Sequence, residues 1–258
     1  MPDSIPPIWV VSLRRSIERR TRMEGQFARL GLRFEFTDAA DARELSAGSL
    51  AEVYSVEQTR RLLGREMTPG EIGCSLSHLE IYRRFLASEQ EELIVLEDDV
   101  VLDAVFREVL ASRHRLPEGW DVVHLHAGSP LSPRVVSLWG KRKLAGRCRC
   151  VRFASTLDGS FGYLLRRSGA EKMLKNGYPV RVPSDLLTGG VIDVGLRYYG
   201  ISPPLIWHGG DDSTMPDAHA LRSQIELGRR RASWVRWFVG ECHTKCVRLY
   251  RRVAPLPR

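Results

Sequence analysis

A short apolar run that ends in three consecutive carboxylates constrains this chain more than any other feature. Residues 93–96 have the aliphatic character of a buried strand, and Glu97, Asp98 and Asp99 follow directly. Adjacent carboxylates repel one another unless a positive charge lies nearby, and a divalent cation would supply that charge. Oxygen ligands favour Mg²⁺ or Mn²⁺. The pattern therefore predicts a strand that delivers acids to its own end, with a solvated acidic turn as the alternative.

The start of the chain predicts an α/β fold with a mostly parallel sheet. Residues 8–11 form an apolar run, and residues 34–36 alternate as a second strand. Between them, Met23, Phe27 and Leu30 recur at helical spacing. This βαβ order is typical of a Rossmann-like central sheet flanked by helices.

Basic residues follow the first predicted strand. Arg14 and Arg19 come at its carboxyl end, which is the edge where open α/β sheets bind ligands. Guanidinium groups at this edge would suit a pyrophosphate. A solvated basic helix face is the alternative interpretation, and the sequence leaves both open.

Two capping boxes predict helix starts. Thr68 and Glu71 flank a proline at the first helical position, and Ser168 and Glu171 repeat the same spacing. Asp185 comes at the expected start of a later helix, directly after a proline and a serine. Its carboxylate would serve either as a helix cap or in the chemistry of the site.

Charge and composition limit the classes of function. The chain has 258 residues, a formal net charge of +8 and a pI near 9.5, which implies an anionic partner. No helix-turn-helix, zinc-finger or RRM signature is present, so we expect no nucleic-acid partner, although a basic nucleic-acid-binding protein is the alternative outside the enzymes. The five scattered cysteines are expected to be reduced. The first residues lack the pattern of a signal peptide, so we expect no export.

Several stretches together resemble glycosyltransferase family 25, the lipopolysaccharide-type glycosyltransferases related to the collagen galactosyltransferases. The strongest are VVSLRRSIERR (residues 10–20), MTPGEIGCSLSHL (residues 67–79) and VLEDDV (residues 95–100). Weaker similarity occurs at residues 159–165 and 203–205. The second and third stretches, in this order, make the match specific.

This resemblance implies a GT-A type fold, a nucleotide-sugar donor that is commonly UDP-galactose, and an inverting reaction without a covalent enzyme intermediate. It also implies an acidic metal motif of the D-x-D kind, with Mn²⁺ or Mg²⁺ as cofactor. Glu97 and Asp99 occupy the outer places of that motif, and Glu97 departs from a strict D-x-D. His208 is the candidate third metal ligand, by analogy with GT-A enzymes that use a late histidine.

Candidate residues for the donor and for catalysis follow from the same reasoning. Ser12 stands where the family often has asparagine, and a glycine at 159 would let a ligand approach the backbone closely. The full set of donor-binding candidates is Ser12, Arg14, Arg19, Asp98 and Gly159. An acceptor hydroxyl must lose its proton as it attacks, which requires a carboxylate base. Asp185 is the first candidate for this base, with Asp211 and Asp212 as alternatives.

The chain divides into a predicted GT-A type domain, residues 1–225, and a basic amphipathic tail, residues 226–258. On a helix, the tail would present a broad apolar side with basic flanks, which favours either packing on the domain or binding to an anionic membrane surface. We expect a cytoplasmic protein, peripheral at the inner face of the cytoplasmic membrane. Its acceptor would be a glycan or glycolipid of lipopolysaccharide or cell-surface glycan synthesis, and collagen-type protein glycosylation is the enzymatic alternative.

Overall fold

The computed structural model describes residues 5–126, 141–152 and 159–209, which form a mixed α/β fold. The strands are β1 (Ile8–Ser12), β2 (Glu35–Asp38), β3 (Glu92–Glu97), β4 (Val100–Leu102), β5 (Val122–His124), β6 (Arg142–Lys143), β7 (Arg149–Val151), β8 (Gly162–Arg166), β9 (Tyr198–Ser202) and β10 (Ile206–His208). The helices are α1 (Ile17–Leu30), α2 (Ala47–Val53), α3 (Val56–Leu63), α4 (Pro69–Ala87), α5 (Phe106–Ala111), α6 (Arg167–Gly177) and α7 (Ser184–Thr188), with short 3₁₀ helices at Ala42–Glu44 and Ser112–Arg115.

The large sheet of the described residues has eight strands in the order β2-β1-β3-β8-β5-β9-β7-β6. β1 pairs in parallel with β2 and β3, and β5 pairs in parallel with β9. β8 and β7 run opposite to the other strands. The predicted mostly parallel sheet is therefore confirmed, with an antiparallel strand inserted at its centre. β4 and β10 form a separate antiparallel pair.

Helices pack on both faces of this sheet. Successive side chains of the central strands point to opposite faces, so neighbouring residues of one strand belong to different core clusters. Leu96 belongs to a core cluster with Phe27 of α1, whereas Val95 belongs to a second cluster with Tyr82 of α4. All four side chains are buried. Burying one such side chain contributes about 1.5–3 kcal/mol, so a strand covered on both faces is apolar along its length until it reaches the sheet edge.

The capping box predicted at the start of α4 is confirmed. Thr68 Oγ1 accepts a hydrogen bond from the backbone N–H of Glu71 at 3.2 Å, and Glu71 Oε2 accepts one from the backbone N–H of Thr68 at 2.7 Å. Arg65 donates to both carboxylate oxygens of Glu71. Burial alone would raise the pKa of Glu71, but these hydrogen bonds hold it below its usual value. The start of the helix that carries Cys74 and His78 is thereby fixed.

The capping box predicted at Ser168 and Glu171 is wrong, although the helix itself is present. α6 begins at Arg167, and no side chain caps its first turn. Ser168 instead donates its hydroxyl to Asp121 Oδ1 at 2.5 Å. Because Asp121 is fully buried, its charge requires every donor in reach, and the serine serves that carboxylate rather than the helix end.

The buried Asp121 carboxylate leads to a prediction about stability. Lys172 Nζ and the backbone N–H of Arg197 donate to Asp121 Oδ2 at 2.6 and 2.7 Å. Burial alone would raise the pKa of Asp121, but these contacts hold it below its usual value. We expect Asp121→Asn to lower the free energy of unfolding at neutral pH by about 2 kcal/mol, because the partly exposed Lys172 ammonium group loses a charged hydrogen-bond acceptor.

The lowered pKa of Asp121 also predicts how the loss of stability in Asp121→Asn depends on pH. Since the folded pKa of Asp121 lies below the unfolded value of 3.8, its stabilisation is complete above 3.8 and disappears as pH falls through the folded pKa. Urea unfolding of the wild type and of Asp121→Asn at neutral pH and at about pH 3 measures the effect, and the deficit should be smaller in acid. An equal deficit at both pH values would contradict the assignment.

Candidate active site

The three consecutive acids lie at the carboxyl end of the central strand β3. Glu97 is the last residue of β3, and Asp98 and Asp99 form the turn into β4. β1 runs parallel beside β3, with Val11 opposite Glu97, so Ser12 ends at the same edge. This edge is where open α/β sheets bind their ligands. The predicted delivery of acids to a strand end is confirmed.

Asp98 points toward β1 and α1. Ser12 donates its hydroxyl to Asp98 Oδ2 at 2.6 Å, and Arg19 Nη1 donates to Asp98 Oδ1 at 3.2 Å. The structure therefore brings together three of the donor-binding candidates. Arg20, which sequence reasoning missed, donates to Ser12 Oγ at 3.2 Å and to the Ser12 carbonyl at 3.1 Å. Its position in the same basic run as Arg19 was the available signal.

Arg14 does not join this group. Its side chain is 83% exposed, and its Nε donates to Asp38 Oδ2 at 2.8 Å. Asp38 ends β2 and also accepts a hydrogen bond from Arg20 at 2.6 Å. These two arginines, Arg20 first, hold the pKa of Asp38 below its usual value. Sequence reasoning missed Asp38, although a carboxylate at the carboxyl end of the second predicted strand indicates the same end of the parallel strands as Glu97.

Asp99 points toward β10. His208 pairs with Val100 in the antiparallel β4–β10 ladder, and this pairing sets His208 Nε2 at 3.3 Å from Asp99 Oδ2. Arg19 Nη1 lies 3.5 Å from the same oxygen. Burial and the charge of Glu97 raise the pKa of Asp99 to about 6. Two of the three predicted metal ligands therefore adjoin each other.

Glu97 turns one carboxylate oxygen toward α4. Ser160 donates its hydroxyl to Glu97 Oε1 at 3.0 Å, and His78 Nε2 and Cys74 Sγ lie 3.4 and 3.9 Å from the same oxygen. Burial alone would raise the pKa of Glu97, but the hydrogen bond from His78 and the other contacts hold it below its usual value. Glu97 is thus ionised on the opposite side of the cluster from Arg19.

A divalent cation suits the chemistry of Asp99. Within the residues described, no hydrogen-bond donor reaches Asp99 Oδ1, although this oxygen is buried. A buried carboxylate oxygen without a donor is costly, and a cation ligand would satisfy it. A carboxylate beside an imidazole matches the ligand preference of Mn²⁺ better than that of Mg²⁺. The participation of Glu97 in the same ion site stays a prediction.

The helix that carries the first candidate base, Asp185, contacts the acids through two serines. Asp185 lies in the first turn of α7, whose N-cap is Pro183, so it does not itself cap the helix. Ser184 Oγ lies 3.0 Å from Ser160 Oγ, which donates to Glu97. The start of α7 is thereby joined to the end of β3. The other two candidates, at positions 211 and 212, lie outside the described residues.

Gly159 takes up a backbone conformation that suits glycine. Its φ is 96°, and a Cβ there would overlap the ring of Phe161. That ring contacts His126 at a centroid distance of 3.9 Å and lies 5.8 Å from the ring of His208. The missing Cβ at Gly159 thus leaves room for the Phe161 ring beside His208. The predicted contact of Gly159 with a donor stays a prediction.

A mostly parallel sheet with acids, arginines and a histidine at one edge defines an α/β domain suited to binding an anionic ligand. Residues 5–188 match the family model described as glycosyltransferase family 25 (LPS biosynthesis protein). The chain belongs to glycosyltransferase family 25. Membership of this family favours the enzymatic interpretation over the nucleic-acid-binding alternative.

Curated relatives carry the same family name. A protein of Anopheles gambiae called glycosyltransferase 25 family member is 39% identical over 183 residues, which are 67% of this chain and 29% of that protein. An Aedes aegypti protein of the same name is 33% identical over 175 residues, or 65% of this chain and 28% of that protein. The chain thus spans less than a third of the length of these relatives. A human relative at 27% identity is named as inactive.

Solved structures give a weaker likeness. A glycosyltransferase involved in the glycosylation of the major capsid of PBCV-1 aligns with a TM-score of 0.42 at 12% identity. The alignment covers 86% of this chain and 98% of that chain.

Proposed function

We propose that this chain is a metal-dependent, inverting glycosyltransferase of the GT-A type that transfers a hexose, with UDP-galactose as the first donor to test. The observation that carries the proposal is the pairing of Asp99 with His208 at 3.3 Å, beside a buried Asp99 oxygen that has no donor among the described residues. These groups suit a divalent cation at the sheet edge where nucleotides bind. Family membership supports sugar transfer as the reaction.

Charged residues around the acids support an anionic donor. Arg19 lies within 3.5 Å of both Asp98 and Asp99, which places its guanidinium group at the carboxyl ends of β1 and β3, where a donor diphosphate would bind. Ser12 and Arg20 connect this position to Asp38 at the end of β2. A nucleotide that lies along the carboxyl ends of β1, β2 and β3 would meet these groups in turn.

The charges that develop during the proposed transfer determine the role of each site residue. The bond between the anomeric carbon and the phosphate oxygen breaks with its electron pair on the diphosphate, while the acceptor oxygen attacks from the opposite side and loses its proton. Arg19 would stabilise the leaving diphosphate. Asp185 would accept the proton of the acceptor hydroxyl. A divalent cation, held by Asp99 and His208 with Glu97 nearby, would supply further neutralising charge when bound.

A donor screen tests this proposal. Purified protein is incubated with a panel of UDP-, GDP- and CDP-sugars, with Mn²⁺, with Mg²⁺ or with a chelator, and release of the nucleoside diphosphate is measured. We expect release from one UDP-hexose, restored by Mn²⁺ after chelation. Release that is equal with chelator and with Mn²⁺ would remove the metal from the proposal, and no release from any donor, with or without saccharide acceptors, would overturn the activity.

We propose a glycan or glycolipid acceptor at the inner face of the cytoplasmic membrane, as in synthesis of lipopolysaccharide or another cell-surface glycan. The support is the description of the matching family and the composition of residues 226–258. Those residues lie outside the described part of the chain. No helix in the described part is both long and apolar enough to cross a membrane.

Truncation of the basic tail tests the membrane partner. The arginines at positions 229, 230 and 231 should each add about 1 kcal/mol of attraction to an anionic surface, so removing the chain from Arg229 onward should weaken vesicle binding about 100-fold. Cosedimentation with anionic vesicles measures the effect, neutral vesicles are the control, and donor hydrolysis should be spared. Undiminished binding by the truncated protein would rule out the membrane role, whereas an unfolded product would show that the tail packs on the domain.

A further inference from the structure

We propose that Cys74, His78 and Glu97 form a binding site for a thiophilic divalent ion, Zn²⁺ in particular, on the α4 side of the acidic strand end. In the described part of the chain, this is the group of three such side chains whose ligand atoms all lie within 4.8 Å of one another. Cys74 and His78 are four residues apart on α4, so they lie on the same helix face and point at the end of β3.

The spacing of the ligand atoms suits tetrahedral zinc. Bonds of about 2.0–2.3 Å at tetrahedral angles separate the ligand atoms by roughly 3.4–3.6 Å. His78 Nε2 lies 3.4 Å from Glu97 Oε1, and Cys74 Sγ lies 3.9 Å from the same oxygen. The ligand atoms of Cys74 and His78 lie within 4.8 Å of each other, so binding would draw these two side chains together by at most about 1 Å. Three protein ligands would then leave one position for water or another ligand, which is a common arrangement for zinc.

Groups around the three ligands already hold them in orientation. His78 Nδ1 lies 2.7 Å from the Tyr163 hydroxyl, which lies 2.9 Å from the hydroxyl of Tyr82. This contact on one ring nitrogen turns the other toward Cys74 and Glu97. Ser160 contacts both Glu97 and Cys74. Partners of this kind fix the orientation of metal ligands and raise metal affinity.

The chemistry of the site differs from that of Asp99 and His208. A thiolate and an imidazole select zinc over the oxygen-preferring Mg²⁺ and Mn²⁺. On binding, the Cys74 thiol loses its proton to solvent as the sulfur–metal bond forms, so one proton is released for each ion bound. The ion would join α4 to the end of β3, and its presence should raise the unfolding temperature.

Zinc binding at this cluster can be tested separately from the proposed transfer reaction, because Glu97 is the only residue that this cluster shares with the proposed metal site at Asp99 and His208. The test therefore leaves Glu97 unchanged and substitutes Cys74 and His78. Cys242 and Cys246 are replaced by serine in every sample, because two thiols four residues apart could bind the same ion. The full-length chain is loaded with Co²⁺, whose bond to a thiolate gives a charge-transfer absorption, and Zn²⁺ is then titrated in to displace it.

We expect one Co²⁺–thiolate band that Zn²⁺ removes at one equivalent. Cys74→Ser should abolish the band and weaken zinc binding at least tenfold, and His78→Gln should weaken zinc binding at least tenfold while the thiolate band persists at high Co²⁺. Cys148→Ser is the matched control, because Cys148 is buried in the core on the opposite face of the sheet, and it should keep both the band and the affinity.

Three results would overturn the inference. The first is the absence of a band in the protein that retains Cys74, a result that needs no variant to fold. The second is an undiminished band in Cys74→Ser. The third is a zinc-dependent rise in unfolding temperature that is the same with Cys74 and with serine at that position. The neighbours of Cys74 include the hydroxyls of Ser160 and Ser184, so the serine hydroxyl of the variant would have hydrogen-bonding partners there.

Discussion

Asp99→Asn should lower the rate of sugar transfer about 10³-fold or more while leaving the fold intact. The carboxylate charge at this position would hold the cation that neutralises the leaving diphosphate, and an amide cannot replace that charge. Stability should not fall, because Asp99 Oδ1 is buried and has no hydrogen-bond donor among the described residues. Replacing a buried, incompletely satisfied charge by a neutral group of the same shape removes an unfavourable term.

Transfer at saturating Mn²⁺ and the unfolding temperature are the two measurements for this variant. Asp103→Asn is the matched control: it removes a carboxylate four positions further along, whose Oδ1 accepts from the backbone N–H of Val105 at 2.9 Å. The control should keep near-wild-type transfer. Near-wild-type transfer by Asp99→Asn would remove Asp99 from the metal site, and a large drop in unfolding temperature would show a structural role instead.

The sequence predicted those elements of the fold whose causes are local. The βαβ opening followed from apolar periodicity, and the start of α4 followed from the Thr68–Glu71 capping box. The second capping box failed because Ser168 binds a buried carboxylate 47 residues earlier in the chain. The antiparallel insertion of β8 between β3 and β5 was also out of reach, since strand pairing depends on packing between distant segments rather than on period.

The candidate site also has parts that the sequence predicted and parts that it did not. A carboxylate cluster at a strand end is visible in the sequence, because the change from apolar to acidic residues is abrupt at Glu97. The approach of His208 to Asp99 depends on the pairing of β10 with β4, which no local pattern of either strand specifies. Asp38 and Arg20 were missed because each looks like an ordinary surface charge until parallel pairing brings β1 and β2 side by side.

The second large effect is expected at Asp185, the first candidate for the catalytic base. Asp185→Asn should lower kcat for transfer about 10²-fold or more while the KM for the donor changes little. Asparagine keeps the shape of the carboxylate but cannot accept the proton of an attacking hydroxyl. The contact between Ser184 and Ser160 should still join α7 to β3 in the variant, so the loss is expected in proton transfer rather than in folding.

Steady-state transfer kinetics with donor and acceptor varied separately measure this effect. Asp193→Asn is the control on the segment that follows α7, because Asp193 is exposed and its Oδ1 accepts from the backbone N–H of Gly195. The control should behave as wild type. A rise in donor KM equal to the loss of kcat/KM would mean that Asp185 binds the donor, whereas unchanged turnover would move the role of base to Asp211 or Asp212. Because those two carboxylates follow β10 closely in sequence, the base would then come from the segment after His208 rather than from α7.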